Sequence, residues 1–238
     1  MDKKITNLNK LLDQINGFYS SQVDDEKIDA AISEFKSNFL ILKNDSNLSL
    51  QEKININRHT IEYSMANIRE YTFLHLMVLH GMPEDVKWAL DNGWEPNYYP
   101  FNNKDQRKRP VTPVGLAAYT FASRQLKVLL DNGGDPFLKF NKPDQKHIPE
   151  WGSTLLYRVM SMPAKVKNNK LQTIKTLIPY YEDLSITTQS GRTIIDNSID
   201  DIGVKEILEA ISKREQQKLN ELPELNKKFP DAKKLNRI

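Results

Sequence analysis

The chain has 238 residues, 34 Lys and Arg against 31 Asp and Glu, a formal charge of +3, 39% hydrophobic and 27% charged side chains, and no cysteine. That length and mixture bury a substantial core and exclude a disordered polymer, and no apolar run approaches the ~20 residues that span a bilayer. Without cysteine there is neither a disulfide nor thiolate chemistry, so a zinc site would need His and carboxylates alone.

The N-terminus MDKKITNLNK lacks an apolar core followed by a small-residue cleavage site, so a cytoplasmic location is expected. From Lys213 to Ile238 the chain holds eight basic and four acidic residues. The pI near 8.8 therefore describes a tail rather than a nucleic-acid-binding body.

Residues 1–70 read as helices. Ile5, Leu8, Leu11, Leu12 and Ile15 form one stripe, and Ile28, Ala31, Ile32, Phe35 and Phe39 form another. Asn16-Gly17 would loosen or end the first helix. Ser49 and Glu52 have capping-box spacing for a third helical stretch, which Ile61, Met65 and Ile68 continue. The expected role of the region is a helical cap over the apolar end of the segment that begins at Thr72.

That segment contains a repeat. Thr72 to Asn97 returns forty residues later as Thr112 to Phe137, each copy with a Thr, a short apolar run, an aliphatic triplet and an Asn-Gly exit before an acidic-Pro pair. Four second helices carry apolar residues at i, i+3 and i+4: Val86, Ala89, Leu90; Leu126, Leu129, Leu130; Ile174, Leu177, Ile178; Val204, Ile207, Leu208. The first helices of the third and fourth units are expected near Thr154 and Thr193. Beyond Ile211, Pro223 and Pro230 break helical continuity, so residues 212–238 read as a short helix and a charged tail.

The repeat resembles the ankyrin repeat. Thr72, Leu74 and His75 match its T-P-L-H opening with Phe73 in place of Pro, Gly81 its interhelical turn, and Asn92-Gly93 with Pro96-Asn97 its exit. The second copy has Thr112-Pro113, Leu116-Ala117-Ala118 and Asn132-Gly133-Gly134-Asp135-Pro136, with Gly115 replacing the His and Phe121 the turn Gly. The resemblance implies an all-α fold: an α-solenoid of about four ankyrin-like units over residues 71–211, with short β-hairpin fingers and an N-terminal helical cap. It also implies that His75 makes a structural hydrogen bond between neighbouring units.

There is no phosphate-cradling Gly-rich loop, no G-x-S-x-G elbow and no HExxH helix. No catalytic residue, metal site or cofactor is expected. The finger at 98–111 is longer than such a unit requires and sets Tyr98, Tyr99 and Phe101 beside Lys104, Arg107, Lys108 and Arg109. Aromatic residues and Arg dominate protein interface hot spots. The second finger, 137–152, includes Trp151. In the resembling family the residue before the opening Thr and those ending the first helix face a concave groove. Here these are Tyr71, Leu79 and His80, then Val111, Tyr119 and Thr120, then Ser153, Ser161 and Met162.

The expectation is a non-enzymatic protein-binding module, a monomer when free, whose partner carries an acidic patch. The abundance of Lys, Asn and Ile points to an AT-rich, bacterial genome. Small bacterial ankyrin proteins resemble either cytoplasmic inhibitors, including toxin-neutralising immunity proteins, or effectors that bind a host protein; the inhibitor is the first expectation. The competing classes are a nucleic-acid binder, which would lose affinity steeply with salt, and an enzyme using Glu62, Asp85, His59 or His80.

Overall fold

The computed structural model describes residues 3–20, 25–49, 56–57, 61–63, 69–99, 111–137, 154–163, 166–181, 184, 193–196, 198 and 200–228. These are predominantly helical, and their contacts divide the chain into two units, residues 1–135 and 136–238.

In the first unit, α1 (Lys3–Ser20) and α2 (Asp25–Lys43) pack against each other. Their apolar stripes supply the contact: Leu8, Leu12 and Ile15 from α1, Ile28, Ile32 and Leu42 from α2 are buried. The expected break at Asn16-Gly17 does not occur; α1 continues to Ser20, because packing on a partner outweighs the roughly 1 kcal/mol helix penalty of one glycine.

Residues 56–57 are helical, within the third helical stretch that was expected, but its continuation around Ile61 is corrected. Ile61–Tyr63 (β1) and Arg69–Tyr71 (β2) pair antiparallel, Ile61 opposite Tyr71 and Tyr63 opposite Arg69. β-branched and aromatic residues at alternate positions suit a pleated strand better than a helix. Met65, Ile68 and Glu52 lie outside the described residues.

The two repeats form helix pairs α3 (Phe73–His80) with α4 (Pro83–Asp91), and α5 (Pro113–Tyr119) with α6 (Ser123–Asp131). Helix α3 packs on α5, and α4 on α6. The chemistry recurs at the sequence offset. The Asn92 side chain donates to the Trp88 carbonyl at 2.9 Å, and that of Asn132 to the Val128 carbonyl at 2.7 Å. Gly93 and Gly133 take φ of +97° and +87°, the left-handed conformation that ends each helix. The next amide then closes on the helix, Trp94 N–H to Ala89 O at 3.2 Å and Gly134 N–H to Leu129 O at 2.9 Å. A third such turn comes after α5, but there the left-handed residue is Phe121, at φ +56°.

Asn97 ties the exits together: its amide donates to Gly133 O at 2.9 Å, and its Oδ1 accepts from Asp135 N–H at 2.8 Å. One period earlier, Asn57 donates to Asn92 O at 3.2 Å. The N-terminal segment thus ends on the first repeat much as the first repeat ends on the second. Helix α1 touches α3, while α2 reaches α4 through side chains. Phe35 stacks on Phe73 at 4.2 Å between centroids, and Phe39 lies 4.5 Å from Trp94 and 5.7 Å from Trp88. Lys36 pairs with Asp85 and sits 5.3 Å over the Trp88 ring. Each aromatic pair is worth about 0.5–1.5 kcal/mol beyond the area it buries, so this cluster covers the apolar end of the first repeat.

The second unit holds α7 (Leu155–Met160), α8 (Lys167–Leu177) running into a 3-10 turn at Ile178–Tyr180, and α9 (Val204–Lys228). Helices α7 and α8 pack together through Leu156, Val159, Ile174 and Leu177. Tyr181 is fully buried; its hydroxyl donates to Pro136 O at 2.5 Å and accepts from Leu156 N–H at 3.2 Å, capping α7 in place of the Thr154 side chain. Lys170 is buried too, its ammonium held by Met160 O at 3.2 Å, Met162 O at 2.8 Å and Asp200 Oδ1 at 2.9 Å. Asp200 therefore carries the counter-charge.

Three expectations for this unit change. Instead of a helix near Thr193 there is a turn at 194–196, in which the Thr193 and Asp196 side chains reciprocally bond each other's main-chain amides. Leu208 is 51% exposed, because Ile207 takes the inward position. Helix α9 runs to Lys228 through Pro223, and every described side chain from Glu215 to Glu221 is exposed.

Candidate functional site

His75 joins the two repeats. Its Nε2 is 2.8 Å from Val111 O, and its Nδ1 is 3.1 Å from Thr72 N and 2.8 Å from Thr72 Oγ1. A carbonyl can only accept, so Nε2 carries the proton and Nδ1 accepts from Thr72. In the second repeat, where Gly115 stands in place of His, Thr112 Oγ1 instead accepts from Gly115 N–H at 3.0 Å. Burial pushes the His75 pKa down to about 4, with the bond to Val111 opposing the shift. The imidazole is neutral at neutral pH and structural.

The helix ends expected to face a groove divide into two groups. Leu79 and His80 at the end of α3 and Tyr119 at the end of α5 are half-buried, and Thr120, just after α5, is exposed. Since α3 packs on α5, the two ends belong to one face of the first unit. The Gln125 amide bonds Gly81 O at 2.9 Å and holds the neighbouring turns together. Tyr71 and Val111, by contrast, are only 2% and 3% exposed. They do not present the contact surface that the resemblance implied; Tyr71 stacks on His75 at 5.3 Å, and the Val111 carbonyl is the acceptor of His75. A residue that supplies the inter-repeat bond is drawn inward with it.

Burial lowers the His80 pKa to about 4, so this imidazole is also neutral at neutral pH. Tyr98 is half-buried; Tyr99 is 39% exposed, and burial of its ring raises its pKa. In the second unit Ser161 and Met162 are half-buried, and the Ser161 hydroxyl is committed to Arg158 O at 2.9 Å. Thr120 likewise donates to Leu116 O at 2.9 Å. Phe101, Lys104, Arg107, Lys108, Arg109, Trp151 and Ser153 lie outside the described residues, as do the expected hairpins of both long fingers. The described hairpin, β1 with β2, falls one period before the first of them.

Among the carboxylates weighed for catalysis, Asp85 pairs with Lys36 and accepts from Met82 N–H at 2.8 Å, a helix-capping role. His59 is outside the described residues, and no group of three or more His, Cys, Asp or Glu among the described residues could hold a metal ion. No described helix is long and apolar enough to cross a membrane. Sequence reasoning passed over Met82, 67% exposed in the turn beside His80. Its signal was a large apolar residue in an interhelical turn. Comparison with protein-family models finds none that matches the chain, and comparison with curated proteins finds no match.

Proposed function

We propose that this chain is a protein-binding module of ankyrin type, without catalytic activity, that acts as a cytoplasmic inhibitor of the immunity-protein kind. One observation carries the reading: Leu79-His80 and Tyr119-Thr120 occupy equivalent positions on packed helices and stay partly open to solvent, while the residues around them are consumed by inter-repeat bonds. Repetition of such an edge builds an extended recognition surface rather than an enclosed pocket. Arg107, Lys108 and Arg109 supply the charge that steers an acidic partner, and Tyr98, Tyr99, Phe101 and Tyr119 supply buried contact.

The test compares two baits in native lysate, the intact protein and the variant with Arg107, Lys108 and Arg109 all changed to Glu, read by mass spectrometry. A stoichiometric protein retained by the first and lost from the second is expected. Retention by both removes the finger from the interface. Co-purification of nucleic acid with no protein replaces the proposal.

A further inference from the structure

Asn-Gly occurs three times, at 16–17, 92–93 and 132–133. A glycine amide is the least hindered nitrogen that can come after an asparagine, and it can attack the side-chain amide when the backbone has room to turn. Asn16-Gly17 lies within α1, whose helical backbone holds that nitrogen away. The other two pairs occupy the same turn of successive repeats and are held unequally.

Asn92 is fixed at both ends of its amide, with Nδ2 donating to Trp88 O at 2.9 Å and Oδ1 accepting from Lys43 Nζ at 3.0 Å. Its carbonyl also accepts from Asn57 at 3.2 Å, and its turn closes with Gly93 N–H to Leu90 O at 3.0 Å. Asn132 is exposed and held through Nδ2 alone, and its turn closes with a longer 3.3 Å bond from Gly133 N–H to Leu130 O. Nothing lies within 4 Å of where a Gly133 side chain would project.

We infer that Asn132 is a site of spontaneous deamidation and that Asn92 is protected by Lys43 and Asn57. The Gly133 nitrogen forms a bond to Asn132 Cγ and gives up its proton; the Cγ–Nδ2 bond breaks and Nδ2 departs as ammonia with that proton. Water then opens the succinimide at either carbonyl, leaving aspartate or the β-linked isoaspartate. Either product puts a carboxylate at the C-terminal end of α6, where the helix dipole opposes it. The isoaspartyl form also lengthens the main chain by one carbon ahead of Gly133 and Asp135, the two partners of Asn97. Modification therefore loosens the second exit turn, which makes Asn132 an ageing mark on the repeat stack.

The test holds the folded, full-length protein in mildly alkaline buffer and maps both sites over time by digestion and mass spectrometry. Asn132 is expected to convert roughly tenfold faster than Asn92, the ratio set by the additional bonds that local opening must break at Asn92. In denaturant the two rates should converge, and combining Lys43→Ala with Asn57→Ala should bring Asn92 toward the rate of Asn132 in the folded state. Conversion of Asn92 as fast as Asn132 in the native protein would overturn the inference. So would a native Asn132 that stays intact while the unfolded chain converts at both sites.

Discussion

Acid should weaken the junction between the two repeats, and His75 is the group that makes it do so. The imidazole is fully buried, its pKa is lowered to about 4 from 6.5, and each ring nitrogen is already engaged. Below the unfolded value the unfolded chain binds a proton that the folded chain refuses, so stability rises with pH between about 4 and 6.5 and is lost as pH falls through that window. The full span is on the order of 3 kcal/mol, and about 2 kcal/mol of it is lost between pH 7 and pH 5.

His75→Gln removes the titration together with the present bonds to Thr72 and Val111, costing about 2 kcal/mol at pH 7. The gap between the two proteins should then nearly vanish at pH 5. Urea unfolding tracked by Trp fluorescence at both pH values measures it, since Trp88 and Trp94 lie in the aromatic cluster beside α3. His80 shifts in the same direction but is partly exposed, so His80→Gln serves as a control with a smaller effect. An unchanged gap between the native protein and His75→Gln at the two pH values would refute the assignment.

Single contacts set the other expectations. Tyr181→Phe leaves Leu156 N–H and Pro136 O without their shared hydroxyl and should cost about 1–3 kcal/mol in thermal or urea unfolding of the second unit. Lys170→Met should cost about 3 kcal/mol by the same measurement, at the lower end for a broken buried pair because Asp200 retains 29% exposure to water. Gly133→Ala places a side chain in open space at φ +87° and should cost about 1 kcal/mol. Gly93→Ala carries the same backbone cost and also meets Asn57 Nδ2 at 2.9 Å, so it should cost about 1 kcal/mol more; equal losses would show that Asn57 does not hold the first exit.

Much of the architecture was legible in local chemistry. The stripes of α1 and α2, the Thr that opens each repeat and the Asn-Gly exits follow from patterns only a few residues long, and helical periodicity or turn chemistry exposes such patterns directly. The candidate surface was legible less evenly. The family resemblance pointed to Leu79, His80, Tyr119 and Thr120, which remain partly open to solvent, but it treated Tyr71 and Val111 as their companions. Their burial depends on a bond closed across thirty-six residues, His75 to Val111, which no local pattern encodes.

Periodicity and turn residues are properties of the chain, so they were enough to establish a predominantly helical protein built around a repeated unit. Which polar groups close that unit emerged with the folded packing alone. Asn57 and Asn97 look like ordinary polar residues until the next exit turn is folded beside them, and Lys170 looks like a surface charge until two carbonyls and Asp200 converge on it. A polar group tolerates burial only where partners meet it, and those partners lie tens of residues away along the chain.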